Sequence, residues 1–412
     1  MPKDQVIIRV DFNVPVENGI IQDPIRILSV KDTIEHFRSC RVILISHFKD
    51  PKFDELSIGK YSFASILDEI KKYIERDIIL MNLFDDSLQA KIDAAPQDSL
   101  ILLDNSRFWP GEKTCNDGLS RRIASLGSVF INDAFSCAHR EHASVTGVAK
   151  YLPTYPGYHF QSELKALARA FKGSDSDILA IIGGSKISTK LPILENLLPK
   201  VKYFAVGGAM ANTFLLAKGY QVGCSLFEED YVDKARELLH TYADKIMLPC
   251  DVMVAPDLNT PPAIADVDQI PENQAVYDVG PSTACAYVDA ANRCSTVVWN
   301  GTLGVAESPL FCEGSKAVAM GICDAPAFSL AGGGDTLAAL AQFGLAERFS
   351  HVCTGGGAFL EWLAHGELPA ERTFTPAGLD VADQKLNDSE RLLSKEVRDL
   401  LRSLVRESVD SV

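Results

Sequence analysis

Short apolar runs alternate with longer amphipathic stretches along the first half of the chain. Gln5-Val-Ile-Ile-Arg-Val10 predicts a first strand, closed by the polar Asp11-Phe-Asn13. A helical pattern covers Ser29 to Phe37, and Arg41-Val-Ile-Leu-Ile45 then ends in Ser46-His47. A helix is expected over Ser62 to Glu75 and a strand over Asp77 to Met81, before Leu100-Ile-Leu-Leu103 ends in Asp104-Asn-Ser-Arg107. After a helical stretch near Leu119 to Leu126, Val129-Phe-Ile131 ends in Asn132-Asp133, ahead of His139-Arg140-Glu-His142. Strands separated by helices predict an α/β fold: a parallel sheet with helices on both faces.

The strand ends carry the chemistry. Arg26, His47, Arg107, His139, Arg140 and His142 fall in loops just beyond apolar runs. In an open parallel sheet such loops share one rim, where ligands bind. Guanidinium forks suit carboxylate and phosphate oxygens, so the expected guest is a small, multiply charged anion. Taken singly, any of these residues reads equally well as a surface charge or a satisfied core group.

Tyr151-Leu-Pro-Thr-Tyr-Pro-Gly157 reads as a rigid, turn-rich break. The helix expected from Phe160 to Phe171 sets Leu164, Leu167 and Phe171 on one face and ends at Gly173, which suits a hinge between two domains. Beyond it, apolar runs end repeatedly in glycine. Ile178-Leu-Ala-Ile-Ile182 meets Gly183-Gly-Ser-Lys186, with Lys190 one turn on, and Tyr203-Phe-Ala-Val206 meets Gly207-Gly208. Thr296-Val-Val-Trp299 meets Asn300-Gly301, Ala327-Phe-Ser-Leu-Ala331 meets Gly332-Gly-Gly-Asp-Thr336, and Val352-Cys-Thr354 meets Gly355-Gly-Gly357. Glycines let strand and helix pack closely, and they also bare backbone N–H groups to a phosphate. Five such turns with Lys186, Lys190 and Asp335 fit a nucleotide polyphosphate with Mg²⁺. Neither a Walker A loop nor the dinucleotide fingerprint is present, which sets aside a dinucleotide oxidoreductase.

Composition narrows the partners. A chain of 412 residues, 47% hydrophobic, exceeds one core, so two domains are expected. A net charge of −15 disfavours nucleic acid and anionic membrane as partners. No apolar run approaches the roughly 20 residues of a membrane span. Ten cysteines without a Cys-x-x-Cys pair point to reduced thiols in a cytoplasm, and the opening residues give no sign of a signal peptide.

In order along the chain, Arg9-Val-Asp-Phe-Asn-Val-Pro15, Arg26-Ile27, Ser46-His47, Arg107-Phe108, Asn132-Asp-Ala-Phe135 with His139-Arg140-Glu-His-Ala143, Gly183-Gly-Ser-Lys186, Val298-Trp-Asn-Gly301, Gly332-Gly-Gly-Asp335 and Thr354-Gly-Gly-Gly357 resemble phosphoglycerate kinases. The resemblance runs from about Val6 to Pro369. It implies two Rossmann-like parallel-sheet domains joined by a hinge helix: a phosphoglycerate domain over 1–156, the hinge over 157–174, a nucleotide domain over 175–368 and a C-terminal helical tail over 369–412. It implies Mg-dependent phosphoryl transfer between 1,3-bisphosphoglycerate and ADP, giving 3-phosphoglycerate and ATP, by a cytoplasmic monomer that closes about its hinge. Asp11, Asn13, Arg26, His47, Arg107, His139 and Arg140 would bind the phosphoglycerate. Lys186, Lys190, Gly207, Gly208, Gly280, Pro281, Asn300, Glu307, Gly332 to Gly334 and Thr336 would hold the nucleotide, and Asp335 the Mg²⁺. Arg26, Lys186, Gly333 and Gly334 would surround the moving phosphoryl group.

The chain departs from that pattern in places. Asp50 stands where the family has an arginine on the substrate phosphate, which predicts weakened affinity, with Lys49 or Lys52 as substitutes. That substitution also supports the alternative of a catalytically weakened or silent member that serves as a nucleotide-binding scaffold. Thr302 replaces a proline and Thr189 an aspartate, both tolerable. In the tail, Asn387-Asp-Ser-Glu390 resembles a capping box. Leu393, Val397, Leu400, Leu401 and Leu404 then form an apolar stripe among Lys395, Arg398, Arg402 and Arg406. That helix is expected to pack back on its own domain; a partner or self-association helix is the alternative.

Overall fold

The computed structural model describes residues 5–51, 59–171, 177–375 and 393–409. The chain forms two compact units, Met1–Lys165 with Glu367–Val412, and Ala166–Gly366. In the first, β1 (Gln5–Arg9), β4 (Arg41–Ile45), β5 (Ile78–Met81), β6 (Leu100–Leu103), β7 (Val129–Asn132) and β8 (Thr154–Pro156) form a parallel sheet in the order β5-β6-β4-β1-β7-β8. Val16–Glu17 (β2) and Ile20–Ile21 (β3) make a separate ribbon. Because side chains alternate along a strand, Val6 and Ile8 enter one core with Val42, Leu44, Ile34 and Ile70, while Ile7 enters another with Ile43, Phe130, Ile92 and Ile123. Both faces are therefore covered, as the apolar runs predict.

The second unit repeats the plan. Its parallel sheet comprises β9 (Ile178–Ile182), β10 (Tyr203–Val206), β11 (Ile246–Met247), β15 (Thr296–Asn300), β16 (Phe328–Gly332) and β17 (His351–Cys353), ordered β11-β10-β9-β15-β16-β17. Between β11 and β15, β12 (Asp251–Ala255), β13 (Ala263–Asp266) and β14 (Ala275–Val279) form an antiparallel sheet ordered β13-β12-β14, which periodicity does not reveal. β13 is largely exposed, and a register shift between Met253 and Val254 breaks the alternation a strand would show.

Other differences have local causes. The break at Tyr151–Gly157 contains β8, an edge strand that tolerates the flanking Pro153 and Pro156. The helix expected over Ser62 to Glu75 shortens to Leu67–Lys71 behind a 3₁₀ turn at Phe63–Ser65, because Asp104 accepts from Ser62 Oγ at 2.8 Å and Phe63 N at 2.9 Å. The expected hinge helix runs Tyr158–Phe171, and Gly173 lies outside the described residues. Its start is tied down by Thr33 Oγ1, which accepts from Tyr158 N at 2.9 Å, and by Asp133 Oδ1, which accepts from Phe160 N at 2.9 Å.

The tail helix, Lys395–Val409, lies on the first unit. Leu393, Val397, Leu401, Leu404 and Val405 are buried in the core shared with Val6 and Ile8. His36 fixes its position: Nδ1 accepts from the Tyr158 hydroxyl at 2.9 Å and Nε2 donates to Leu400 O at 2.8 Å. The Asn387–Glu390 capping box and the Arg406 side chain fall outside the described residues. Leu404→Ala, at a fully buried position, is expected to cost about 3 kcal/mol in urea unfolding. A loss under about 0.5 kcal/mol, the range of an indifferent surface change, would mean that the helix does not complete this core.

Candidate active site

In the first unit the loops beyond the strand ends bring Arg26 and His47 to Asp11, and Arg107 and Arg140 near His47. Asp11 Oδ2 accepts from Arg26 Nη1 at 2.9 Å and from the Ser136 hydroxyl, and Oδ1 lies 3.7 Å from His47 Nδ1. Burial opposes ionisation of Asp11, but His47, Arg26, Ser136 and Arg9 prevail and hold its carboxyl below the usual value. Arg26 Nη1 also donates to Asn13 O at 3.0 Å, and Asn13 Oδ1 accepts from Lys49 N at 2.8 Å, which ties the β4 loop to the β1 loop. Arg107 and His142 meet at 3.4 Å, and Arg140 Nε donates to His139 Nε2 at 3.2 Å.

His47 and His142 are neutral here. Burial, reinforced by Arg9, Arg107 and Arg140, pushes His47 well below its ordinary value against the pull of Asp11. Arg9 Nη2 donates to His47 Nδ1 at 3.2 Å, and a guanidinium cannot accept. The ring proton therefore sits on Nε2, where it can serve an oxygen of a guest. Burial and the same arginines push His142 down to about 3.

Arg9 is the residue that sequence reasoning missed. It is 1% exposed, and its guanidinium reaches Ser144 Oγ at 3.2 Å, Ile45 O at 3.3 Å and Cys137 Sγ at 3.7 Å besides His47. Ser144 is held in turn by Glu112, a buried carboxylate. The available signal was one cation inside an otherwise apolar strand.

Asp50 also has a partner that sequence could not supply. Its Oδ1 lies 2.5 Å from Lys113 Nζ and 4.0 Å from Arg107 Nε. The Lys113 hydrogen bond, outweighing modest burial, holds Asp50 below its ordinary value. Lys49 instead sets its ammonium 5.7 Å from the centre of the Phe48 ring, and Lys52 lies outside the described residues.

In the second unit the glycine turns border a cleft of about 480 Å³. Gly184, Gly208, Asp335 and Glu307 line it together with Leu215, Leu226, Val252, Val276 and Leu303. The glycines fall into two settings, packed and open. A Cβ on Gly183 would meet Thr302 O at 2.1 Å, and one on Gly332 would meet the Phe359 ring at 2.4 Å, so these serve packing. Gly333 has φ +101° and begins the helix Gly334–Phe343 without a side-chain cap, while a Cβ on Gly334 would meet nothing within 4 Å. Lys190 Nζ donates to Asn300 Oδ1, Asn300 Nδ2 to Gly332 O at 2.7 Å, and Gly301 N to Thr336 Oγ1 at 2.7 Å. Burial pushes the Lys190 ammonium down, and Asp335 partly restores it.

Four expected residues stand apart from this cluster. Gly280 and Pro281 begin a helix whose end is filled by Asp251, which accepts from Ser282 N at 2.9 Å and Thr283 N at 2.7 Å. Gly207 packs on Leu303, where a Cβ would approach to 2.2 Å. Lys186 is exposed in the loop after β9. Thr189 Oγ1 donates to Lys186 O at 3.0 Å, a local use of the departing hydroxyl.

One unit with a cationic rim and another with an apolar cleft beside glycine turns make this a phosphotransferase that takes a nucleotide and a small anion. The family model described as phosphoglycerate kinase matches residues 1–366. Among curated relatives, the phosphoglycerate kinase of Moorella thermoacetica is 40% identical over 377 residues, covering 89% of this chain and 94% of that one. That of Francisella philomiragia is 39% identical over 374 residues, with the same coverage. The solved phosphoglycerate kinase of Coxiella burnetii superposes with a TM-score of 0.82 at 38% identity, covering 90% of this chain and 96% of that one. That of Pyrococcus horikoshii gives 0.76 at 28%, with the same coverage. The chain belongs to the phosphoglycerate kinase family. Its reaction is the reversible transfer of a phosphoryl group between 1,3-bisphosphoglycerate and ADP, a step of glycolysis. Among the described residues, no helix is long and apolar enough to cross a membrane.

The state of His142 yields a pH test. The unfolded chain takes up a proton near the ordinary value of 6.5, whereas the folded ring refuses it until about 3. Stability is therefore lost as pH falls from 6.5 toward 3. His142→Gln should remove up to one proton's worth of this slope, measured by urea unfolding between about pH 4 and 6. An unchanged slope would place the titration elsewhere.

Proposed function

We propose that the rim of the first unit binds the phosphoglycerate and the cleft of the second binds the nucleotide, with residues 157–174 as the hinge of a closing monomer. The roles divide between 1–156 and 175–368, with 369–412 as a supporting tail. The observation that carries this reading is the convergence of Arg26 on Asp11 and of Arg107 and Arg140 on neutral His47 and His142. Asp11 orients Arg26, and Asn13 orients the loop bearing His47. His139, Arg140 and Arg107 supply further donors to the phosphate and carboxylate of the guest.

In the cleft, Lys190, Asn300, Glu307 and Gly332 to Thr336 would position the nucleotide, with Gly208 beside its phosphates. Gly207, Gly280 and Pro281 would act by shaping the walls. Asp335 is exposed in the first helical turn and close enough to influence Lys190, a setting that suits a hard cation carried by a polyphosphate. Mg²⁺ held there would neutralise phosphate charge. Ten cysteines without a Cys-x-x-Cys pair support a cytoplasmic location.

The chemistry needs little from acids or bases. A bond forms between an ADP oxygen and phosphorus as the bond from phosphorus to the acyl oxygen breaks, and the leaving carboxylate needs no proton. The charge spreads over the equatorial phosphoryl oxygens, so cations and backbone donors around them lower the barrier. Arg26, Lys186 and the amides of Gly333 and Gly334 are proposed for that task. Neutral histidines are binders under this scheme.

Arg26→Ala or Lys186→Ala is expected to lower turnover roughly 10³-fold. A coupled assay with ATP, Mg²⁺ and 3-phosphoglycerate showing near-normal kcat in either variant would remove that residue from the transfer step. Asp50 is two-thirds exposed and shared with Lys113, so its competition for Arg107 is screened. Asp50→Arg should lower the KM for 3-phosphoglycerate by about three- to fivefold, the scale of an exposed ion pair. No improvement would mean that Lys113 already neutralises the aspartate.

A further inference from the structure

The helix Ala209–Lys218 runs from the glycine turn after β10 along the nucleotide cleft. Gly208, Ala211, Asn212 and Leu215 line the cleft, and Asn212 lies about 6 Å farther along the axis than Gly208, at 1.5 Å per residue. Leu215, Leu226, Val252 and Val276 line the same cleft. Asn212 is nevertheless an amide, 1% exposed.

Its two polar atoms differ in state. Nδ2 donates to Leu226 O at 2.9 Å, which fixes the orientation, since the reverse placement would set two carbonyl oxygens together. Oδ1 is buried and has no hydrogen-bond partner among the described residues. An orphaned buried acceptor is costly, and such sites mark a missing donor.

Resting on the reading of this cleft as the nucleotide site, we propose that Asn212 Oδ1 is a specificity-determining acceptor for the exocyclic amino group of an aminopurine base. With phosphates at the glycine turns, the base falls at the apolar end, where Asn212 is the polar side chain on this helix. A 6-amino purine offers the donor that Oδ1 lacks. A 6-oxo purine presents another acceptor to the same atom and leaves the cost of burial unrelieved.

The test compares ATP, ITP and purine riboside triphosphate, which lacks any 6-substituent, as phosphoryl donors to 3-phosphoglycerate. Wild type should favour ATP over both in kcat/KM by about three- to tenfold, the worth of one neutral hydrogen bond. In Asn212→Leu the ratios should fall toward one, a change that a purely structural role would not produce because packing acts alike on all three nucleotides. Equal use of the three by wild type would overturn the proposal and leave the nucleotide site standing. So would ratios unchanged in Asn212→Leu. Failure of every nucleotide to bind or react would overturn the reading of the cleft itself. Direct binding of the three diphosphates to wild type gives the same comparison without a variant.

Discussion

The Arg9 guanidinium is buried at the end of the central strand, and a cation there must be met by fixed partners or the strand could not remain where it is. Its partners come from two further stretches of chain, Ile45 O and His47 at the end of β4 and Cys137 and Ser144 after β7, with Glu112 from a third behind Ser144. The charge therefore draws together the very loops that carry the anion-binding groups. It also sets the tautomer of His47, and with it the direction in which that ring can donate. One residue thus links the sheet to the chemistry at its rim.

The two proposed sites are built by different physics. The first uses side-chain cations whose repulsion is relieved by nearby carboxylates, one buried and one exposed. Arg26 leans on Asp11, and Arg107 lies near Asp50. The second relies on turns in which a glycine is needed either for contact with a neighbour or for a left-handed backbone, and it adds few charges. Its charged groups are instead tuned by burial. The Asp278 carboxyl in the cleft wall is pushed up to about 7, although it accepts from Gly314 N and Val279 N.

Much of this was legible in sequence because parallel strands buried on both faces read as continuous apolar runs, and their ends mark the rim. Asp11, Arg26, His47, Arg107 and Arg140 could be placed on that logic before any coordinates. The partners of those residues could not. Lys113 reaches Asp50 across a fold, and nothing in the local sequence of either marks the pair. Solvent and Lys113 share the Asp50 charge, which the local sequence does not reveal. Arg9 was hidden inside a strand, and β12 to β14 were hidden by an exposed edge and a register shift. Glycine turns suggested phosphate everywhere, whereas only contacts could separate Gly332, pressed on Phe359, from Gly334, which faces open space.

The tail helix alters how the chain can be assembled. The second unit is continuous in sequence, from Ala166 to Gly366, and holds everything its own core requires. The first is not: Val6 and Ile8 share a core with Val397 and Leu404, almost the whole length of the chain away. During synthesis the segment made first must wait, its sheet covered on one side only in part, until the last segment emerges. The residues of the first core are therefore all present only after the whole second unit has been made. Contacts of such separation also carry the highest closure entropy in the molecule, which makes the docking of Leu393–Val405 a late and slow event.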